Sequence, residues 1–122
     1  MAKDEVRVVV VDDEPDVRDM MKELLELDGY RVRTALDADD AMAAIAEFGP
    51  LCVILDLKLP TVGGVELARR IRSLCGTGIV LIVLTGSSRP VDHHAAEAAG
   101  VDYVLEKPLD VELLRRMLPP ID

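Results

Sequence analysis

Five polar residues stand where apolar runs stop, and their types decide what chemistry they could share. Asp12 and Asp13 follow the run Val6 to Val11, Asp56 follows Leu51 to Leu55, Thr85 follows Ile79 to Leu84, and Lys107 comes just after Val101 to Leu105. If the three carboxylates converge, each pair repels by roughly 4 kcal/mol at about 4 Å in an effective dielectric of about 20. Something cationic must offset this. A hard divalent ion, Mg2+ foremost, suits one or two carboxylates, a backbone carbonyl and waters, and leaves room for phosphate oxygens. The Lys107 ammonium offers a point charge for a carboxylate or phosphate, and Thr85 offers a hydroxyl. Together they describe a phosphoryl site. Taken singly, each residue also has an ordinary use: Asp13 as a helix cap, Asp56 and Thr85 as turn starters, Lys107 as a solvated residue before proline. What favours the shared site is that all of them fall at the same ends of the predicted strands.

Those strands and their helices alternate along the chain. Val6 to Val11 is read as a first strand. Asp16 to Asp28 is a helix with Val17, Met20, Met21, Leu24 and Leu25 at helical spacing and Gly29 as its stop. Tyr30 to Ala35 alternates and suits a half-exposed edge strand. Asp37 caps a helix to about Phe48, which Gly49-Pro50 ends. Leu51 to Leu55 is too short for an ordinary helix and too evenly apolar for a half-exposed strand, so it is buried on both faces. A helix from Val65 to Leu74 carries Leu67, Ala68, Ile71 and Leu74, and a second apolar strand, Ile79 to Leu84, follows. An alanine-rich helix with the weakest stripe runs from Pro90 to Ala99. Val101 to Leu105 forms the last strand, and Asp110 caps a helix through Leu118.

Five strand-helix units imply an α/β fold, a doubly wound parallel sheet with helices on both faces. Runs one, three and four are the most apolar and belong in the middle, giving the flavodoxin-like strand order 2-1-3-4-5. In that order connections reverse direction between strands one and three, and ligands bind beyond the carboxyl ends there. Asp12, Asp13 and Asp56 all fall at that point.

Length and composition agree. At 122 residues, half of them hydrophobic, the chain suits one domain, residues 1–122, with a single core. A net charge of -9 argues against direct nucleic-acid binding, which relies on basic residues. Met1 to Glu5 is charged, unlike a signal peptide, and no stretch is long enough for membrane insertion, so a cytoplasmic setting is expected. Cys52 and Cys75 have no metal-ligand company and are read as reduced packing residues. His93 and His94 are adjacent, point to different sides of a helix and are assigned to a solvated face without a role.

The whole chain resembles the receiver domain of bacterial two-component response regulators. The resemblance rests on VDDEP (Val11 to Pro15), LDLKLP (Leu55 to Pro60) with Gly64, LTGSS (Leu84 to Ser88) and EKP (Glu106 to Pro108). It implies a phosphoacceptor signalling switch in a phosphorelay, not an enzyme, although Mg2+-dependent self-phosphorylation from acyl phosphates and autodephosphorylation go with such a domain. Asp56 would accept the phosphoryl group from a histidine kinase or histidine phosphotransfer domain. Asp12, Asp13, Asp56 and the backbone carbonyl of Lys58 would hold Mg2+, and Thr85 and Lys107 would bind phosphoryl oxygens. The Lys107-Pro108 bond would be cis, small Gly86 would leave the site open to partners, and Lys58 and Ser87 would tune the lifetime of the phosphorylated form. A downstream protein or fused domain would read the state.

One position departs from the family pattern. Members commonly carry Tyr or Phe three residues before the lysine, where this chain has Val104; Tyr103, one residue earlier, should face the other way. Valine has no polar tip to swing, so the change is expected to pass instead through Ser87 to Ala99. Three other readings compete. A pure interaction module would not need Asp13, Asp56, Thr85 and Lys107 all intact, and a flavin or nucleotide binder would want a glycine-rich loop after strand one and aromatics to sandwich a ring. An aspartyl-phosphate hydrolase would carry its nucleophile after the first strand.

Overall fold

The apolar runs become five parallel strands in the order β2-β1-β3-β4-β5, in a computed structural model that describes residues 5–121. The elements follow in strict alternation: β1 (Arg7–Val11), α1 (Pro15–Leu27), β2 (Arg31–Ala35), α2 (Ala38–Phe48), β3 (Cys52–Asp56), α3 (Gly64–Cys75), β4 (Val80–Thr85), α4 (Pro90–Ala98), β5 (Tyr103–Glu106) and α5 (Val111–Met117). The charged start read from Met1 to Glu5 lies outside the described residues as far as Asp4.

Alternation along each central strand builds two cores. Val9, Val11, Val53, Leu55, Leu81 and Val83 face α2, α3 and α4, joined by Ala41, Ile45, Leu67, Ile71 and Ala96. Val8, Val10, Cys52, Ile54, Ile82 and Leu84 face α1 and α5, joined by Met21, Leu25 and Leu114. Because β1, β3 and β4 are covered on both faces, their buried positions are apolar up to the last residue of β3 and β4, where Asp56 and Thr85 stand. β2 has Arg31 and Arg33 exposed between partly buried Val32 and Thr34, as an edge strand should.

Helix ends follow local chemistry. Asp37 caps α2 by accepting from the Asp40 N–H, and Asp110 caps α5 by accepting from Leu113. Gly49 ends α2 in the left-handed region at φ 63, which glycine adopts without a Cβ clash.

Several positions differ from the reading of the sequence. Leu74 is 74% exposed and Cys75 is exposed as well, so Cys75 is not a packing residue: the buried stripe of α3 stops at Ile71, and its last turn runs beyond the core. Met20 is likewise half exposed on α1. β5 starts two residues late because Asp102 takes over the end of the ladder. Its N–H donates to the Leu81 carbonyl at 2.9 Å, and its carboxylate accepts the Leu81 N–H at 2.8 Å.

Candidate functional site

Strand register places the polar residues before any side-chain contact is considered. Val11 pairs with Leu55, so Asp12 and Asp56 stand at the same level on adjacent strands, a spacing of about 4.8 Å in any sheet. Asp56 pairs with Leu84, which sets Thr85 one residue beyond it, and Thr85 pairs with Glu106, which sets Lys107 one further again. The carboxyl ends of β1, β3, β4 and β5 therefore form a staircase.

The side chains converge accordingly. One carboxylate oxygen from each of Asp12, Asp13 and Asp56 lies within 4.8 Å of the other two. Lys107 donates from Nζ to Asp56 Oδ2 at 3.1 Å, and the Lys58 N–H donates to Asp56 Oδ1 at 3.1 Å. Asp56 is 9% exposed and Asp12 3%, whereas Asp13 is exposed. With one ammonium among three carboxylates, ionised groups leave an excess of two negative charges. That excess and the all-oxygen donor set fit a hard dication.

Burial pushes the Asp12 carboxyl above its ordinary range; the hydrogen bond from the Glu14 N–H, at 3.0 Å, opposes this, and the charge on Asp56 adds to the rise. Arg18 reaches back from α1 to donate to the Asp12 carbonyl at 2.7 Å, which fixes the backbone where β1 ends. Neither contact was legible in the sequence, since both depend on how the chain turns between Asp12 and Pro15.

The turn after Asp56 is tightly built. A Cβ on Gly64 would lie 2.5 Å from the Asp56 carbonyl oxygen and 2.8 Å from Leu57 Cα, so only glycine lets α3 start this close to the strand end. Thr61 sits at φ 65, a conformation that costs a β-branched residue of order 1–3 kcal/mol. By contrast, a Cβ on Gly86 would meet nothing within 4 Å, so that glycine is not required by packing. The Lys107-Pro108 peptide bond is cis.

An open hollow of about 400 Å³ over the strand ends is lined by Asp13, Glu14, Asp56, Lys58, Gly86, Ser87 and Lys107. Thr85 is buried, and its Oγ1 accepts the Ser87 N–H at 3.0 Å. The Ser87 hydroxyl is already engaged, donating to Asp92 and accepting from the Arg89 N–H. Val104 is partly buried against the core under α2, α3 and α4, while Tyr103 is 41% exposed. His94 is exposed, but His93 is not on a solvated face: its Nε2 lies 3.0 Å from the Ser87 carbonyl and 3.6 Å from a Glu106 carboxylate oxygen. The sequence held no signal for this, because the sparse apolar pattern of α4 leaves the rotation of the helix undetermined.

The chain matches known proteins along most of its length. Residues 8–119 match the family described as the response regulator receiver domain. Response regulator MprA of Mycolicibacterium vanbaalenii is 38% identical over 113 residues, which cover 92% of this chain and 48% of the relative. MprA of Mycobacterium bovis is 37% identical over the same length, covering 92% and 49%. The chain thus spans about half the length of the curated relatives it matches. Among solved structures, chemotaxis protein CheY4 of Vibrio cholerae superposes with a TM-score of 0.86 at 27% identity, over 93% of this chain and 99% of that one. The BeF3-activated DrrB receiver domain gives 0.81 at 30% identity, over 90% and 91%.

Proposed function

Because the chain belongs to the response regulator receiver domain family, we propose that it is a phosphoacceptor switch in which Asp56 takes a phosphoryl group from a histidine kinase or histidine phosphotransfer domain. A receiver is a signalling domain and not a classical enzyme. The observation that carries the assignment of Asp56 is its position between opposite charges. Lys107 Nζ sits 3.1 Å from one of its oxygens, and Asp12 and Asp13 present carboxylate oxygens within 4.8 Å of its own.

Positioning and charge neutralisation supply the chemistry, as in phosphoryl transfer generally. An Asp56 carboxylate oxygen attacks phosphorus; the P–N bond to the donor imidazole breaks, and its electron pair stays on that nitrogen. The product is an acyl phosphate on Asp56. Asp12, Asp13, Asp56 and the Lys58 carbonyl would hold Mg2+, which would supply positive charge to offset that on the phosphoryl oxygens. Lys107 moves its ammonium from the free carboxylate to a phosphoryl oxygen. Thr85 already accepts a hydrogen bond from Ser87, so its own proton is free to be donated to the phosphoryl group. Lys58 and Ser87, both lining the hollow, stand where they can hinder or orient an attacking water and so set the lifetime of the product.

In this reading residues 1–122 are a single receiver unit working in the cytoplasm, and a downstream protein or fused domain reads its state. Intact-mass measurement after incubation with a small acyl phosphate and Mg2+ tests it. The parent should gain one phosphoryl mass and Asp56→Asn none. Equal gain by both, or none by the parent, removes Asp56 from this role.

A further inference from the structure

We infer that Asp92 and His93, in the first turn of α4, are positioning residues that set the Thr85 hydroxyl for the phosphoryl group; this rests on the reading of Asp56 as the acceptor. Ser87 is gripped from both sides by these two residues. Its hydroxyl donates to Asp92 Oδ2 at 2.5 Å, and its carbonyl accepts from His93 Nε2 at 3.0 Å. A carbonyl oxygen has no proton to give, so Nε2 must carry one, which defines the state of this nitrogen in the contact. The same Nε2 lies 3.6 Å from a carboxylate oxygen of Glu106, the β5 residue that pairs with Thr85 and precedes Lys107.

Ser87 in turn holds Thr85, donating its N–H to Oγ1 at 3.0 Å. A hydroxyl whose oxygen accepts one fixed hydrogen bond keeps only a restricted set of directions for its own proton. Where Ser87 sits therefore sets where the Thr85 proton points. Two side chains of α4 decide where Ser87 sits. Few other contacts hold that helix end: Ala96 is the only buried residue of α4, and its N-cap, Arg89, makes no side-chain capping bond. Asp92 and His93 thus form the polar link between the first turn of α4 and the strand ends.

The test is a double-mutant cycle on acyl-phosphate phosphorylation of the full chain, read as the rate of mass gain, with Mg2+ affinity and thermal melts in parallel. His93→Leu should slow phosphorylation by about five- to tenfold, the loss expected when one hydrogen bond no longer orders the reacting group. His93→Gln, whose amide nitrogen can take the place of Nε2, should restore most of the rate. Asp92→Ala should act in the same direction. In a Thr85→Ala background neither substitution should have a further effect, because both act through that hydroxyl. Mg2+ affinity should stay at the parental value throughout. A merely structural role predicts additive losses that follow melting temperature and no selective rescue by Gln. Parental rates for both His93→Leu and Asp92→Ala, or full effects in the Thr85→Ala background, overturn the inference alone. A parent that gains no phosphate overturns the reading of Asp56 and the inference with it.

Discussion

Among the described carboxylates, Asp12 is the one whose environment opposes its charge. It is buried beside Asp56, its carboxyl is raised above the ordinary value of 3.8, and burial is the main cause. The sign of the stability effect follows by linkage. A group that holds its proton more tightly in the folded state costs stability when ionised, and that cost fades as pH falls through the raised value towards 3.8. Asp12→Asn keeps an oxygen that can accept the Glu14 N–H and removes the charge. Thermal melts without divalent ions should therefore show the variant more stable than the parent at pH 7, with the difference shrinking near pH 4. Added Mg2+ should stabilise the parent more than the variant, because a ligand that binds only the folded state raises its apparent stability. A variant less stable than the parent at pH 7 without metal would mean that Asp12 is not under electrostatic strain.

Among the three helices on its face of the sheet, α4 is the least anchored by apolar packing. On the same face of the sheet α2 and α3 each bury four residues, including Ile45 on α2 and Leu67 and Ile71 on α3, whereas α4 buries only Ala96. Elements with few buried apolar contacts open at low free energy and are the ones most easily displaced. Val104 packs against the core and has no polar tip to exchange between solvent and interior. Hydrogen exchange on phosphorylated and unphosphorylated protein should therefore change most from Ser87 to Ala99. Changes concentrated around Tyr103, with Ser87 to Ala99 unaltered, would assign the readout to β5 instead.

Across the whole molecule, the end of the sheet opposite the acidic cluster is tied by one side chain. Arg72, on the last turn of α3, donates to the carbonyls of Gly100, Gly76 and Ile79 and to the Asp102 carboxylate at 2.6 Å. It thereby joins the end of α3, the approach to β4 and the loop before β5. Its stem also fills the space a Cβ on Gly100 would need, 2.7 Å from Arg72 Cγ, at a residue already at φ 98. Arg72→Ala removes the guanidinium donor from the Gly100 and Ile79 carbonyls and leaves the Asp102 carboxylate with the Leu81 N–H and no cation, and should destabilise the fold by about 2–4 kcal/mol. Chemical denaturation checks this. Because the contacts lie at the far end of the strands from Asp56, the folded variant should still take phosphate from an acyl donor at close to the parental rate.

Sequence alone determined the sheet order and the polar staircase at its edge, for a physical reason. Strands buried on both faces must be continuously apolar, so Leu51 to Leu55 and Ile79 to Leu84 declare themselves as central, and the alternating Arg31 to Ala35 declares itself as an edge. Once the order is known, parallel register carries Asp12, Asp56, Thr85 and Lys107 to the same end without further information. Tertiary structure alone decided which polar groups touch across loops and helix faces. Leu74 and Cys75 satisfy helical spacing yet lie outside the core, since periodicity says which face a residue is on and not how far along the helix the core extends. The start of β5 moved because the Asp102 side chain replaced a backbone partner. His93 could not be placed because alanines are nearly silent about which way a helix is turned. Its contact with Glu106 depends on the docking of α4 against β5, and its contact with Ser87 on how the chain turns into α4, neither of which the local pattern encodes.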